Sequence, residues 1–262
     1  MLRTRFVTAV ISLLILGAVL FLVPPVVALL VVGLLVLAGA WEWSGFLQLG
    51  TTAWRISYVV LIAALMVVTS LVFPGQADLL LSIACGWWLL AFVWTFFFPT
   101  PIPAAVRWAC GVLVLIPLFV ALQSLYGLDP MLLLLSLLIV WAADMGAYFI
   151  GRKYGRVKLA PSISPGKTWE GVFGGLAAVV VLILVWAHFR DMGIAVLLPF
   201  CLGVAALSIV GDLTVSMFKR TAGLKDSGNL FPGHGGVLDR IDSVSAAAPL
   251  FVIGVKWLEL FP

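Results

Sequence analysis

The sequence predicts an all-α, polytopic integral membrane protein with about nine transmembrane helices, and three observations predict it. The chain is 64% apolar and only 10% charged, with a mean hydropathy of +1.23; a soluble domain is about 45–50% apolar. Apolar runs of roughly bilayer-crossing length recur from end to end, separated by proline- and glycine-bearing turns. No stretch alternates with the two-residue period of a barrel strand. No long polar stretch exists from which to build a soluble domain, so residues 1–262 form a single membrane domain.

The spans follow in order, at roughly 6–23, 25–40, 56–73, 79–98, 106–126, 131–150, 169–189, 193–218 and 243–261. The first begins like a signal peptide, with Arg3 and Arg5 ahead of an apolar run. The apolar character persists to Ala40, far beyond a signal-peptide core, which predicts a retained helix. Pro24-Pro25 breaks it into two short halves, or into one span and a re-entrant segment. Residues 1–130 read as apolar N-terminal spans. Residues 131–262 read as catalytic spans carrying two polar loops, 151–168 and 219–242. Cys85, Cys110 and Cys201 are odd in number and widely spaced within apolar runs, so neither a disulfide framework nor a zinc site follows.

With the N-terminus in the cytoplasm and nine alternating spans, the cytoplasmic side receives Arg3, Arg5, Arg55, Arg107, Arg152, Lys153, Arg156, Lys158, Lys167, Lys219, Arg220, Lys225 and Arg240. Only Arg190 and Lys256 fall on the other side. That asymmetry fixes the expected orientation and brings both polar loops to the cytoplasmic face. It also accounts for the net charge of +4 without nucleic acid as a partner.

Chemistry concentrates between Ser216 and Asp242, where Lys219, Arg220, Lys225, Asp226, His234, Asp239, Arg240 and Asp242 interrupt an apolar chain. Charge near lipid is expensive and marks function. On a helix, Asp212, Ser216 and Lys219 or Arg220 share one face. Asp239 and Asp242, three apart, point together if a helix begins there. Asp212, Asp239, Asp242 and Asp226 form an oxygen-only donor set suited to Mg²⁺, alone or with a second cation. The plainer alternatives are a polar clamp between helices for Asp212 and N-terminal capping for Asp239 or Asp242. Lys219, Arg220, Lys225 and Arg240 suit the phosphates of a nucleoside triphosphate. His234 suits a phosphate contact or the ordering of its glycine turn. Gly235 and Gly236 permit close backbone approach to a ligand.

The segment reads S-x-x-K-R-x-x-x-x-K-D, a glycine-bearing turn, then H-G-G-x-x-D-R-x-D. This resembles the signature of the phosphatidate cytidylyltransferase family. A second block from Asp144 to Gly171, ending S-P-G-K-T-W-E-G, resembles the other polar region of that family. Its Gly166-Lys167-Thr168 is not a Walker A loop, because Pro161 stands where that motif needs glycine. Asp144 and Lys167 are candidate site-lining residues. The resemblance implies transfer of the cytidylyl group of CTP to phosphatidic acid, giving CDP-diacylglycerol and pyrophosphate. It implies catalytic roles for Asp212, Lys219, Arg220, Asp239 and Asp242, with Ser216, Lys225, His234, Gly235, Gly236, Arg240, Lys167 and Asp144 binding. CTP, phosphatidic acid and membrane lipids are the expected partners, and a homodimer is compatible with the sequence. The expected location is the bacterial inner membrane, active site toward the cytoplasm. The rival class is an ion-coupled transporter using Asp144 and Asp212. Transporter sites sit near the midplane between repeats, whereas these charges gather at one face and no repeat is visible.

Overall fold

The computed structural model describes residues 14–48, 50–190, 193–228 and 235–258. Residues 14–21 are the described part of α1. There follow α2 (Pro25–Phe46), α3 (Thr52–Leu71), α4 (Ala77–Thr95), α5 (Ala104–Leu128), α6 (Pro130–Tyr154), α7 (Trp169–Arg190), α8 (Ile194–Thr221) and α9 (Leu238–Trp257). Among the described residues, seven helices, α2 to α8, are long and apolar enough to cross a membrane. The all-α membrane architecture stands. The expected first span lies partly outside the described residues, and His234 lies wholly outside them.

α9 falls short of the others in apolarity because it carries Asp239, Arg240, Asp242 and Lys256. Its position explains how this is tolerated. It packs against α2, α4, α5, α6 and α8, so the polar residues along its inner face meet protein rather than lipid, while Arg240 and Lys256 lie exposed toward its two ends. Asp242, Ser243, Ser245 and the run Ala246–Ala248 are all buried. α5 is the second core helix, with buried side chains along most of its length. α3 by contrast buries only Tyr58, Ile62 and Met66, and presents Trp54, Val60 and Leu71 outward. The sequence of an outer span is apolar because lipid surrounds it; a central span is free to be polar.

Boundaries differ from the expected ones in an informative way. α2 runs to Phe46 rather than residue 40, adding a last turn with Glu42, Trp43 and Ser44 buried. α9 begins at Leu238 rather than 243, so the polar signature supplies its first turn. The loop expected at 151–168 contains the one departure from an all-helical chain among the described residues. β1 (Lys158–Ala160) and β2 (Ser164–Thr168) form an antiparallel hairpin, pairing Lys158 with Thr168 and Ala160 with Ser164. Five residues are too few for a sequence period to declare a strand against the helical background.

Successive helices run antiparallel, which gives the bundle two distinct ends. The hairpin, the end of α8, the start of α9 and the last turn of α2 meet at one. At the other, Lys256 of α9 pairs with Asp78 of α4, and Ser70 of α3 donates to Gln123 of α5 at 3.1 Å.

Candidate active site

α8 brings the first carboxylate. Asp212 lies nine residues before the end of that helix, about 14 Å along its axis. Ser216, one turn on, donates to its Oδ1 at 3.1 Å, as the shared helical face predicts. Lys167 Nζ, from β2, stands 2.7 Å from its Oδ2. The hairpin is held in place to make this contact. Arg220 Nε donates to the Ile163 carbonyl at 3.0 Å, and the Glu170 carboxylate accepts from the Val157 N–H at 3.2 Å. Arg220 therefore pins the hairpin turn to the end of α8, and Lys167 is the cation that the hairpin delivers.

α9 brings the next two carboxylates. Asp242 is 6% exposed and lies close to Asp212 because α8 and α9 approach without a side chain between them. A Cβ at Gly211 would sit 2.5 Å from the Asp242 carbonyl oxygen, so only glycine fits beside it. Lys219 is buried, as an unpaired lysine would not be. Its Nζ is 2.7 Å from Asp239 Oδ1, and Asp242 and Asp212 are also within its electrostatic reach. Asp144, on α6, is within reach of Asp212, Lys167 and Arg240. Four carboxylates and three cations thus gather from α6, β2, α8 and α9. Lys225 and Asp226 are exposed on the chain that leaves α8.

Two sequence expectations acquire a different geometry. Asp239 Oδ2 accepts from the Gly236 and Ser227 N–H groups, each at 3.0 Å, while Oδ1 takes Lys219. This is the capping arrangement weighed above against metal ligation. Gly235 adopts φ +79°, the left-handed region that glycine tolerates, and Gly236 backs onto protein. Its neighbour there is Glu42 of α2, a residue that the reading of motifs passed over. Glu42 is 6% exposed and accepts from the Ser227 hydroxyl at 2.8 Å, the Val237 N–H at 2.9 Å and the Leu238 N–H at 2.7 Å. The available signal was its isolation, since no other acidic residue occurs before Asp78. It also means that the N-terminal spans reach the polar site.

Among the described residues, no three of His, Cys, Asp and Glu converge into a ready metal cage. Asp212 and Asp239 are instead each matched by a lysine. The donor set still fits a hard cation. Asp212 and Asp242 are neighbouring oxygen donors of like charge, one of them buried, with the Ser216 hydroxyl beside them. Three cations against four carboxylates leave no surplus positive charge for a triphosphate of about four negative charges, so a divalent ion suits the site.

Comparison with known proteins agrees along the whole chain. A family model described as "Cytidylyltransferase family" matches residues 3–258. A Pseudomonas aeruginosa phosphatidate cytidylyltransferase is 43% identical over 260 residues, covering 96% of each chain. A Haemophilus influenzae protein of the same name is 38% identical over 283 residues, covering 96% of this chain and 97% of its own. None of this favours the transporter alternative. The chain belongs to the cytidylyltransferase family, a family of nucleotidyltransferase enzymes, here embedded in the membrane.

Proposed function

We propose that this protein transfers the cytidylyl group of CTP to phosphatidic acid, releasing pyrophosphate and leaving CDP-diacylglycerol in the membrane. The observation that carries the reading is the gathering of Asp144, Lys167, Asp212, Lys219, Asp239, Arg240 and Asp242 at one end of an apolar bundle, in a chain of this family. An anionic oxygen of the lipid phosphate forms a bond to the α-phosphorus of CTP. The bond from that phosphorus to the oxygen bridging toward the β-phosphorus breaks, and its electron pair leaves with pyrophosphate. The nucleophile is already ionised near neutral pH, so no general base is needed and His234 need not act as one.

Asp212 and Asp242 would hold Mg²⁺, with Asp144, within electrostatic reach of Asp212, as a further donor. When bound, the ion offsets repulsion between two anions and charge on the departing pyrophosphate. Lys167, Lys219 and Arg240 supply fixed positive charge beside the reacting phosphates. Lys225, exposed at the rim, suits the outer phosphates of CTP. Asp239 orders the chain around Lys219 rather than serving as a ligand, and Asp226 stands apart from the paired carboxylates.

The membrane is read as the bacterial inner membrane, with the charged end toward the cytoplasm, where CTP is. Arg55 and Arg107 support this, because they bond α2 at the same end as the hairpin, while Lys256 lies at the other. Lipid tails, and any second copy of the chain, would meet the outward apolar faces of α3, α4 and α7.

Purified protein supplied with CTP, Mg²⁺ and phosphatidic acid is expected to release pyrophosphate, with omission of any one abolishing release. Release without phosphatidic acid would contradict the assignment of the acceptor. For orientation, a cysteine added after Pro262 in a cysteine-free background should react with an impermeant thiol reagent in intact cells. Reaction only after lysis would reverse the proposed orientation.

A further inference from the structure

We infer that Glu42 is a positioning residue for this reaction: from α2 it caps the N-terminus of α9 and so seats the carboxylates of α9 against α8. It acts through Asp239 and Asp242 and is not itself placed against the reacting phosphates.

The first turn of a helix leaves backbone N–H groups without partners, and a nearby Ser, Thr, Asp or Asn ordinarily takes one. At the start of α9 the capping position is Val237, which has no side-chain acceptor. Glu42, almost two hundred residues earlier in the chain, supplies it. One carboxylate oxygen takes the Val237 N–H, and the other takes the Leu238 N–H and the Ser227 hydroxyl. A helix N-terminus is an anion site, and here a carboxylate of the chain fills it. Those N–H groups are therefore not available to cradle a phosphate.

Two glycines are shaped around the same carboxylate. A Cβ on Gly228 would stand 2.4 Å from Glu42 Oε1, and one on Gly236 would stand 2.2 Å from Oε2. Glu42 and Asp239 also divide the donors of Ser227 between them, hydroxyl to Glu42 and N–H to Asp239. The two carboxylates thus grip the same two stretches of chain, 227–228 and 236–238. Asp239 in turn holds Lys219, and Asp242 follows three residues later on the same helix face.

Glu42 is well placed to impose this geometry because its own helix is fixed. The Trp43 indole donates to the Arg107 carbonyl at 3.0 Å, and its ring meets Phe218 of α8 at 5.1 Å between centroids. Arg107 donates to the Phe46 carbonyl at 2.6 Å. The last turn of α2 is thereby tied to α5 and α8, and Glu42 transmits that fixed reference to α9. Errors of about 1 Å in such settings diminish turnover even when binding survives.

The experiment uses the full chain in detergent and rests on the cytidylyl-transfer reading for its assay. Glu42→Gln preserves size but replaces one acceptor oxygen with an amide NH2 donor that faces N–H donors. Its kcat is expected to fall tenfold or more, with the KM for CTP within about twofold of wild type. Amide hydrogen exchange is read on the same protein, independently of activity. Peptides covering 235–242 should exchange at least tenfold faster, with α3 and α4 unchanged. Gly228→Ala presses on the same carboxylate without removing it and should also lower kcat, whereas in a Glu42→Ala background it should add nothing. If Glu42→Gln fails to accumulate, Gly228→Ala decides alone: lowered kcat supports the inference and wild-type kcat overturns it. Wild-type protein inactive with CTP and phosphatidic acid would sink the transfer reading. Active wild type with equal kcat and equal exchange in Glu42→Gln would sink this inference.

Discussion

The two ends of the bundle each carry a lysine–aspartate pair, and the pairs differ in everything but composition. Lys256 and Asp78 meet at the rim, with side chains 33% and 60% exposed. Lys219 and Asp239 meet with 9% and 13% exposed, beside further carboxylates. The first end also holds a cavity of about 370 Å³ lined by Thr69, Ser70, Gln76, Gln123 and Ser124, with no charged side chain in its wall. A cavity alone is thus a poor guide to chemistry here. The end with convergent, desolvated charge is the one that can handle phosphates. An exposed ion pair is worth about 0–1 kcal/mol, whereas a buried one must be kept for what it positions or binds.

That contrast is most easily broken at Asp212. Asp212→Asn is expected to lower kcat a hundredfold or more while the protein still inserts and folds, and to raise the Mg²⁺ concentration needed for half-maximal activity. Pyrophosphate release across a Mg²⁺ titration checks both effects; unchanged Mg²⁺ dependence would reduce Asp212 to a polar clamp between helices.

Asp239→Asn should have the next largest effect, about tenfold on kcat, because it loosens Lys219 and the Ser227 and Gly236 N–H groups together. Its Mg²⁺ dependence should match wild type. A requirement for much more Mg²⁺ would restore Asp239 to the ligand set.

Smaller effects separate the two arginine and lysine positions. Arg220 Nε reaches the Ile163 carbonyl, so Arg220→Lys keeps charge but loses the guanidinium bond that pins the hairpin. A few-fold loss of kcat is expected, against a few-fold rise in KM for CTP in Lys225→Ala. Steady-state kinetics at saturating lipid distinguishes them. A rise in KM for CTP in Arg220→Lys, with kcat intact, would make Arg220 a phosphate contact instead.

The smallest effect belongs to the other end. Asp78→Asn should shift stability by no more than about 0.5 kcal/mol and leave turnover unchanged, as read by thermal unfolding and the same assay.

Much of this division was legible in the sequence. Hydropathy exposed the lipid-facing helices because their burial partner is lipid itself. The i and i+4 spacing placed Ser216 against Asp212, and the i and i+3 spacing put Asp239 and Asp242 on one helix. Lys167 was visible as a candidate but its partner was not, since a hairpin of eight strand residues has no periodic signature and a long side chain sets the contact. Glu42 stood out as an isolated carboxylate, but its partners were not legible, for a different reason. Capping between helices depends on how α2 and α9 pack, and local spacing says nothing about a contact across 196 residues. Asp239 illustrates the limit of motif chemistry. Its position suited either a metal ligand or a cap, and only the three donors around it give the cap its geometry.

Label transfer from CTP carrying a radioactive α-phosphate, with phosphatidic acid in mixed micelles, tests the catalytic end most directly. Wild type and Asp78→Asn should move the label into the lipid fraction at equal rates, and Asp212→Asn should move less than about one part in a hundred of it. Transfer that survives in Asp212→Asn, or that disappears in Asp78→Asn, would contradict the placement of the chemistry at the charged end.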